Sequence, residues 1–324
     1  MLVVLLLLAV AGGILYLNSL MNLVDRTEET ENAYLSESEV YADEPTFDIT
    51  EPPEVIQDAQ DQFENIQQET VKEEAHIENI LLIGSDRRSN RENGRADSMI
   101  ILSINHSTKK IHLTSLMRAI YVCIPRSSGD TWGMLNAAYS WGGPKLLIST
   151  VENNFRIKID HYIAVDFESF QKAIDIVGGV ELELTRAEAS HLQLGGAGTY
   201  KLKGEKALDY ARIRMLDNDF IRTSRQRKVI TALLQKARGI DLGTLNSLAT
   251  SILPYVKTDM TNDVIFGYLL QAPTLLTFPI DQRMLPVENE SGKTFTGKIY
   301  VNGREMYKID FEGNLKALHD FIES

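Results

Sequence analysis

Hydrophobic and polar positions divide the chain into three zones. Residues 1–23 carry no charge, and Leu2–Leu17 is apolar apart from two glycines. At a rise of about 1.5 Å per residue a helix of this length spans about 35 Å, enough for a bilayer core. A retained membrane anchor is predicted. The rival, a cleavable signal peptide cut near Ala9-Val10-Ala11, lacks a positive leading segment, and the apolar run continues past that triplet. Residues 24–75 are polar, with Pro45, Pro52 and Pro53 and few apolar side chains, and are predicted to form a solvated linker. Ile56–Ala75 has the composition to form a helix within it.

From His76 the pattern becomes that of a folded domain, assigned here to 76–324. Ile80-Leu81-Leu82-Ile83, stopped by Gly84, predicts a buried strand. Ser98–Asn105 and Lys110–Ser115 predict a hairpin around the turn at 105–109, and Ala119–Ile124 a further strand ended by Pro125. Helices are predicted at Gly143–Val151, Phe167–Val177, Lys203–Tyr210 and Arg225–Arg238. The last carries Val229, Ile230, Leu233 and Leu234 on one face. Gly178-Gly179 separates the second helix from a strand at Val180–Leu184. Such alternation predicts a three-layer α/β fold, a central mixed β-sheet flanked by helices.

Charge changes the picture of what this domain can bind. The chain holds 33 Lys+Arg against 45 Asp+Glu. Yet residues 27–75 alone hold 16 acidic side chains and one lysine, so the region from His76 onward is mildly basic. A phosphate-bearing substrate is therefore compatible with the domain. A single cysteine, Cys123, excludes a disulfide framework and a cysteine-based zinc site. It is expected to be a buried, unpaired small hydrophobe. The six histidines show no zinc spacing. Ser291-Gly292-Lys293-Thr294 lacks the leading glycine of a P-loop, and a Gly-x-Ser-x-Gly elbow is absent.

Arginines gather beside acids in two places. In Gly84-Ser85-Asp86-Arg87-Arg88 and Arg95-Ala96-Asp97-Ser98, one aspartate ends a predicted strand and the other opens the next. If those strands are neighbours, the carboxylates meet at one end of the sheet. Two carboxylates without His or Cys suit a hard cation such as Mg²⁺ or Mn²⁺. The alternative is an Asx-turn at Asp86 and a local Arg95–Asp97 pair. The second place is Arg212, Arg214, Asp217, Asp219, Arg222, Arg225 and Gln226. In an extended segment Arg212 and Arg214 would share a face, and the later arginines would open a helix. An anion held there by guanidinium forks is one reading; exposed arginines paired with Asp217 and Asp219 is the other.

Several blocks give the chain a resemblance to a known family. They are Asn79-Ile-Leu-Leu-Ile-Gly-Ser-Asp86-Arg, Arg95-Ala-Asp97-Ser, Ser115-Leu-Met-Arg118 and Leu135-Asn136-Ala-Ala-Tyr139 with Gly142-Gly143. Asp160-His-Tyr162, Val177-Gly178-Gly179-Val180, Leu202–Arg214 and Asp219-x-x-Arg222-x-x-Arg225-Gln226 follow in the same order. Over this motif core, 79–238, the chain resembles the LytR-CpsA-Psr family of membrane-anchored cell-wall enzymes. The resemblance implies a phosphotransferase that moves an anionic glycopolymer from an undecaprenyl-pyrophosphate carrier to peptidoglycan, forming a phosphodiester. It further implies a single-pass protein of the cell membrane with its domain on the extracellular face, and no nucleic-acid partner.

Carried over by position, the resemblance makes Asp86 and Asp97 the ligands of Mg²⁺ or Mn²⁺. Arg95, Arg212, Arg214, Arg225 and Gln226 would bind the pyrophosphate, and Arg118, Asp219 and Arg222 would act at the reacting centre. Two positions depart from the family pattern. Met117-Arg118-Ala119 stands where Pro-Arg-Asp is usual, removing an acid that would orient Arg118, and Met134 stands where Lys is common. A lipid-pyrophosphate pyrophosphatase and a non-catalytic polyprenyl-phosphate-binding regulator are the competing functions.

Overall fold

The computed structural model describes residues 19, 22–24, 53–86, 94–213, 219–239, 256–287 and 296–324. The predicted anchor lies outside them but for residues 19 and 22–23, and no helix among the described residues is long and apolar enough to cross a membrane. In chain order, helix α1 (Pro53–Ile66) precedes strands β1 (Ile77–Ser85), β2 (Ala96–Asn105), β3 (Lys110–Leu116), β4 (Tyr121–Ile124) and β5 (Thr131–Met134). Next come α2 (Leu135–Phe155), β6 (His161–Asp166), α3 (Phe167–Ile176), β7 (Val180–Leu184), α4 (Arg186–His191), β8 (Gly198–Leu202) and α5 (Gly204–Arg212). The chain ends with α6 (Asp219–Ala237), β9 (Lys257–Thr258), α7 (Asn262–Leu275), β10 (Ile280–Leu285), β11 (Thr296–Val301), β12 (Arg304–Ile309) and α8 (Phe311–Glu323).

These elements divide into two compact units. The larger comprises Glu28–Ala164, Asp217–Arg227 and Phe278–Ser324. Its sheet runs β10-β3-β2-β1-β6, antiparallel across β1–β2 and β2–β3 and parallel across β3–β10. The mixed sheet flanked by helices is the expected one. Leu81, Ile83, Ile101 and Leu116 are buried in the core with Leu147, Phe155 and Leu318. Burial on both faces is why these strands are near-continuous apolar runs rather than alternating ones.

Three elements differ from expectation. The acidic stretch is not a solvated linker throughout, because Pro53–Ile66 is a helix that buries Ala59, Phe63 and Ile66 in this core. The Phe63 ring lies edge-on to Trp132 at 5.2 Å and to Phe311 at 5.8 Å. Buried Arg156 fastens the end of α1, donating from Nε to the Glu69 carbonyl at 3.0 Å and from Nη2 to the Gln67 carbonyl at 2.9 Å. Its Nη1 reaches the Asn153 carbonyl. The acids of α1 point outward while its i, i+4, i+7 positions are apolar, so charge density concealed a core face.

Next, the helix predicted from Gly143 extends back to Leu135 through a break. Gly142 (φ −155°) and Gly143 (φ 60°, ψ −157°) leave helical geometry, and Pro144 restarts it. The Gly143 backbone lies in a region open only to glycine. Finally, the strand predicted at Ala119–Ile124 begins at Tyr121, because Ile120–Met117 closes a turn.

The smaller unit contains Val165–Leu216 and Lys228–Thr277. Here β7 and β8 form an antiparallel hairpin, and Ile174, Leu182, Leu202, Tyr210 and Val229 share a core. Asp166 caps α3 through Ser169, and Thr185 and Glu188 form a capping box on α4. A Cβ at Gly204 would stand 2.3 Å from the Gln171 carbonyl, so the close α3–α5 approach requires glycine there.

Cys123 is buried in β4 opposite Trp132, and burial pushes its thiol up to about 12. Cys123→Ser is therefore expected to keep wild-type activity. The native thiol is expected to resist iodoacetamide at neutral pH, since only the thiolate reacts. Intact-mass measurement before and after denaturation checks this. Rapid alkylation of the native protein would contradict it.

Candidate functional site

The site is built where β1 and β2 end. Their pairing runs in register from Ile77↔Asn105 to Gly84↔Ser98, then shifts so that Ser85 faces Ala96. Asp97 is the extra residue of this β-bulge. A bulge turns its residue away from the pleat's alternation, which is how strands re-aim side chains at functional edges.

One step further along, the Asp86 N–H donates to the Arg95 carbonyl at 3.1 Å. The Asp86 carboxylate accepts from the Arg95 backbone N–H at 2.6 Å and from its guanidinium at 3.2 Å. Both side chains are 11% exposed. Arg95 therefore pairs with Asp86 across the strands. Gly94, just before it, is held by Ser140 Oγ of α2, which donates to the Gly94 carbonyl at 2.9 Å.

The second component arrives from α6. This helix begins at Asp219, six residues ahead of the predicted start, and so places three arginines in its first turns. Arg222 is 4% exposed, Arg225 2% and Arg227 8%. Gln226 lies beside them, and its Nε2 donates to the Asp97 carbonyl at 3.3 Å. Phe220 sets the helix start against the core, its ring edge-on to Tyr307 at 5.6 Å. Tyr307 N–H in turn donates to the Ala119 carbonyl at 2.8 Å, and Asn136 N–H donates to the Arg118 carbonyl at 3.1 Å. Arg118 is thus half-buried between Met117 and Ala119, both of which are buried in the core.

Asp86, Arg95, Asp97, Arg118, Arg222, Arg225 and Gln226 all fall in the larger unit. Arg212 does not. It belongs to the smaller unit, in the last turn of α5 rather than in an extended segment, with its guanidinium 4.6 Å above the Phe167 ring. The α5 helix continues past Tyr210 because Ala207, Leu208 and Ala211 give it a buried face. Arg214, Asp217, Arg87 and Arg88 lie outside the described residues, as does the side chain of Asp219.

Among the described residues no group of three or more His, Cys, Asp or Glu side chains converges. The donor set consists of two carboxylates, with oxygens only. Asp86 already accepts two bonds from Arg95, but a carboxylate offers about four lone-pair sites. This set fits an ion that keeps several waters or takes phosphate oxygens, which is the habit of Mg²⁺. Two features escaped the sequence. The bulge leaves no mark in residue identity, and Arg227 was passed over because it follows a motif that ends at Gln226.

A model of the LytR_cpsA_psr family matches residues 49–317. The polyisoprenyl-teichoic acid–peptidoglycan teichoic acid transferase TagU of Oceanobacillus iheyensis is 33% identical over 249 residues, 72% of this chain and 74% of that protein. Biofilm regulatory protein A of Streptococcus mutans is 30% identical over 253 residues, 71% of this chain and 62% of its own length. Among solved structures, TagT bound to LIIa-WTA matches with a TM-score of 0.63 and 21% identity, covering 80% of this chain and 96% of that one. That likeness concerns the fold.

Proposed function

The chain belongs to the LytR-CpsA-Psr family, and from that premise we propose that it is a membrane-anchored transferase acting on the outer face of the cell membrane. It moves an anionic glycopolymer of the teichoic acid class from a polyprenyl-pyrophosphate carrier to peptidoglycan. The observation that carries this reading is the contact of Gln226, on a helix that buries Arg222 and Arg225 in its first turns, with the Asp97 backbone, beside the strand end where Asp86 pairs with Arg95. Guanidinium forks gathered beside a carboxylate pair suit an anionic ligand such as a diphosphate.

In the reaction an acceptor hydroxyl attacks the polymer-side phosphorus, the bond from that phosphorus to the bridging oxygen breaks, and polyprenyl phosphate leaves with the electron pair. The hydroxyl proton is assigned to Asp219. Arg95, Arg118, Arg222 and Arg225 stabilise charge spread over the phosphate oxygens, an interaction strongest in the transition state, and Arg212 and Arg214 are assigned to the same donor by their place in the family's motif. Asp86 and Asp97 would hold Mg²⁺, which supplies neutralisation of diphosphate charge when bound.

The test uses the purified full chain, Mg²⁺ and a polyprenyl-pyrophosphate-linked saccharide. Adding peptidoglycan is expected to divert product from free phosphorylated saccharide to a polymer-bound phosphodiester. Hydrolysis alone, indifferent to acceptor, would identify a pyrophosphatase. Binding of the lipid without turnover would identify a regulator. In the same assay Arg212→Ala is expected to slow transfer by roughly 30-fold or more, the value of one charge-assisted contact of about 2 kcal/mol. Stacking of Arg212 on Phe167 positions the guanidinium, so Arg212→Lys should rescue little.

A further inference from the structure

Two arginines of the larger unit are buried under opposite conditions. Arg156 satisfies its guanidinium with three backbone carbonyls, those of Gln67, Glu69 and Asn153. Arg227 is 8% exposed, and its Nε and Nη1 have no hydrogen-bond partner among the described residues. Burial alone pulls its guanidinium down to about 10, with no carboxylate offsetting the cost. A buried, uncompensated charge is among the most expensive groups a fold can carry. It persists where something beyond the described residues completes it.

The position on α6 shows what that partner is. Phe220, Thr223 and Arg227 follow at i, i+3 and i+7 and form one stripe of the helix. Arg222 and Gln226, at i and i+4, form another, and Gln226 bonds to the Asp97 carbonyl. Thr223 is buried like Arg227, and the Phe220 ring packs edge-on to Tyr307. The helix therefore carries positive charge into a second buried direction, beyond the stripe that meets Asp97. We propose that Arg227 is a further substrate-binding residue, its guanidinium fork receiving a phosphate oxyanion of the glycopolymer donor. This rests on the transferase reading only in naming the donor as the source of the anion. The phosphate is either the pyrophosphate head or a phosphodiester along the polymer.

Both sources are separated by titrating the detergent-solubilised full chain with farnesyl pyrophosphate and with a glycerol-phosphate oligomer. Wild type, Arg227→Lys and Arg227→Met are compared by calorimetry, and their ligand-free unfolding midpoints are recorded. Arg227→Met is expected to bind one probe roughly tenfold or more weakly, the loss of a charge-assisted bond. Arg227→Lys should fall between, since the charge stays and the fork is lost. The ligand-free midpoint of Arg227→Met should equal or exceed that of wild type, because an unpaired buried charge has been removed. A merely structural arginine gives the reverse: a lowered midpoint with unchanged affinity for both probes, which overturns the proposal. If Arg227→Met does not fold, wild-type affinity of Arg227→Lys for both probes overturns it equally. A wild type that transfers polymer while Arg227→Met binds like it sinks this inference alone. One that needs Arg227 to bind but transfers nothing sinks the transferase reading and leaves the inference standing.

Discussion

Asp97→Ala is expected to lower polymer transfer by roughly 10³-fold or more, about 4 kcal/mol of transition-state stabilisation, with the unfolding midpoint little changed. The size follows from the donor set. With two carboxylates available, losing one leaves Asp86, whose oxygens already accept from Arg95 at 2.6 and 3.2 Å. A single shared carboxylate is a poor seat for a divalent cation beside a mobile diphosphate. The stability side follows from the bulge. Asp97 is the residue that the β1–β2 ladder skips, so removing its side chain leaves the register from Gly84↔Ser98 onward intact. Asp97→Asn separates charge from shape. It should be as inactive as alanine at low Mg²⁺ and recover partly at high Mg²⁺. Transfer by Asp97→Ala within a few-fold of wild type would remove the two-aspartate assignment.

A second large effect is expected from truncation. A chain begun at His76, the boundary suggested by the end of the acidic stretch, should be poorly folded, whereas one begun ahead of Pro53 should be stable. The cut at His76 strips Ala59, Phe63 and Ile66 from the core and leaves Trp132 and Phe311 facing the vacated space. It also leaves Arg156 without two of its carbonyl acceptors. In the intact chain Phe63→Ala alone should cost about 3–5 kcal/mol, the usual range for deleting a buried aromatic. Urea denaturation of the two truncations and of Phe63→Ala measures this. Equal stability of the two truncated chains would show that α1 is dispensable.

Much of the fold was legible because the strands of the larger unit's sheet are largely apolar runs and breaks fall at Pro125 and Gly178-Gly179. The β2–β3 hairpin, the strand at Val180–Leu184 and the helix from Phe167 stand where periodicity placed them. What failed has physical causes. In α1 the eye follows charge, but three apolar residues at helical spacing decide burial. In α6 the apolar face of Val229, Ile230, Leu233 and Leu234 marks the helix only from about Arg225, and the arginines before it oppose the dipole near a helix N-terminus. Packing of Phe220 on Tyr307 overrides that preference. The placement of Asp86 and Asp97 at the ends of neighbouring strands was legible, yet the Asp86–Arg95 cross-strand pair depends on register, which residue identity does not encode. The Arg-x-Arg spacing of Arg212 and Arg214 suits strand alternation, but Arg212 lies in the last turn of α5.

The Arg156 clamp has a consequence for tolerance of acid. Its acceptors are backbone carbonyls, which do not titrate. Contrast the Lys308–Asp58 pair, which ties the same helix to β12. There the lysine holds the Asp58 carboxyl below its ordinary value, so whatever the pair contributes is present above that value and lost as pH falls through the lowered one. Acidification thus releases the outer attachment of α1 and leaves the inner one in place. The first helix of the larger unit is held by one attachment that senses acid and one that does not.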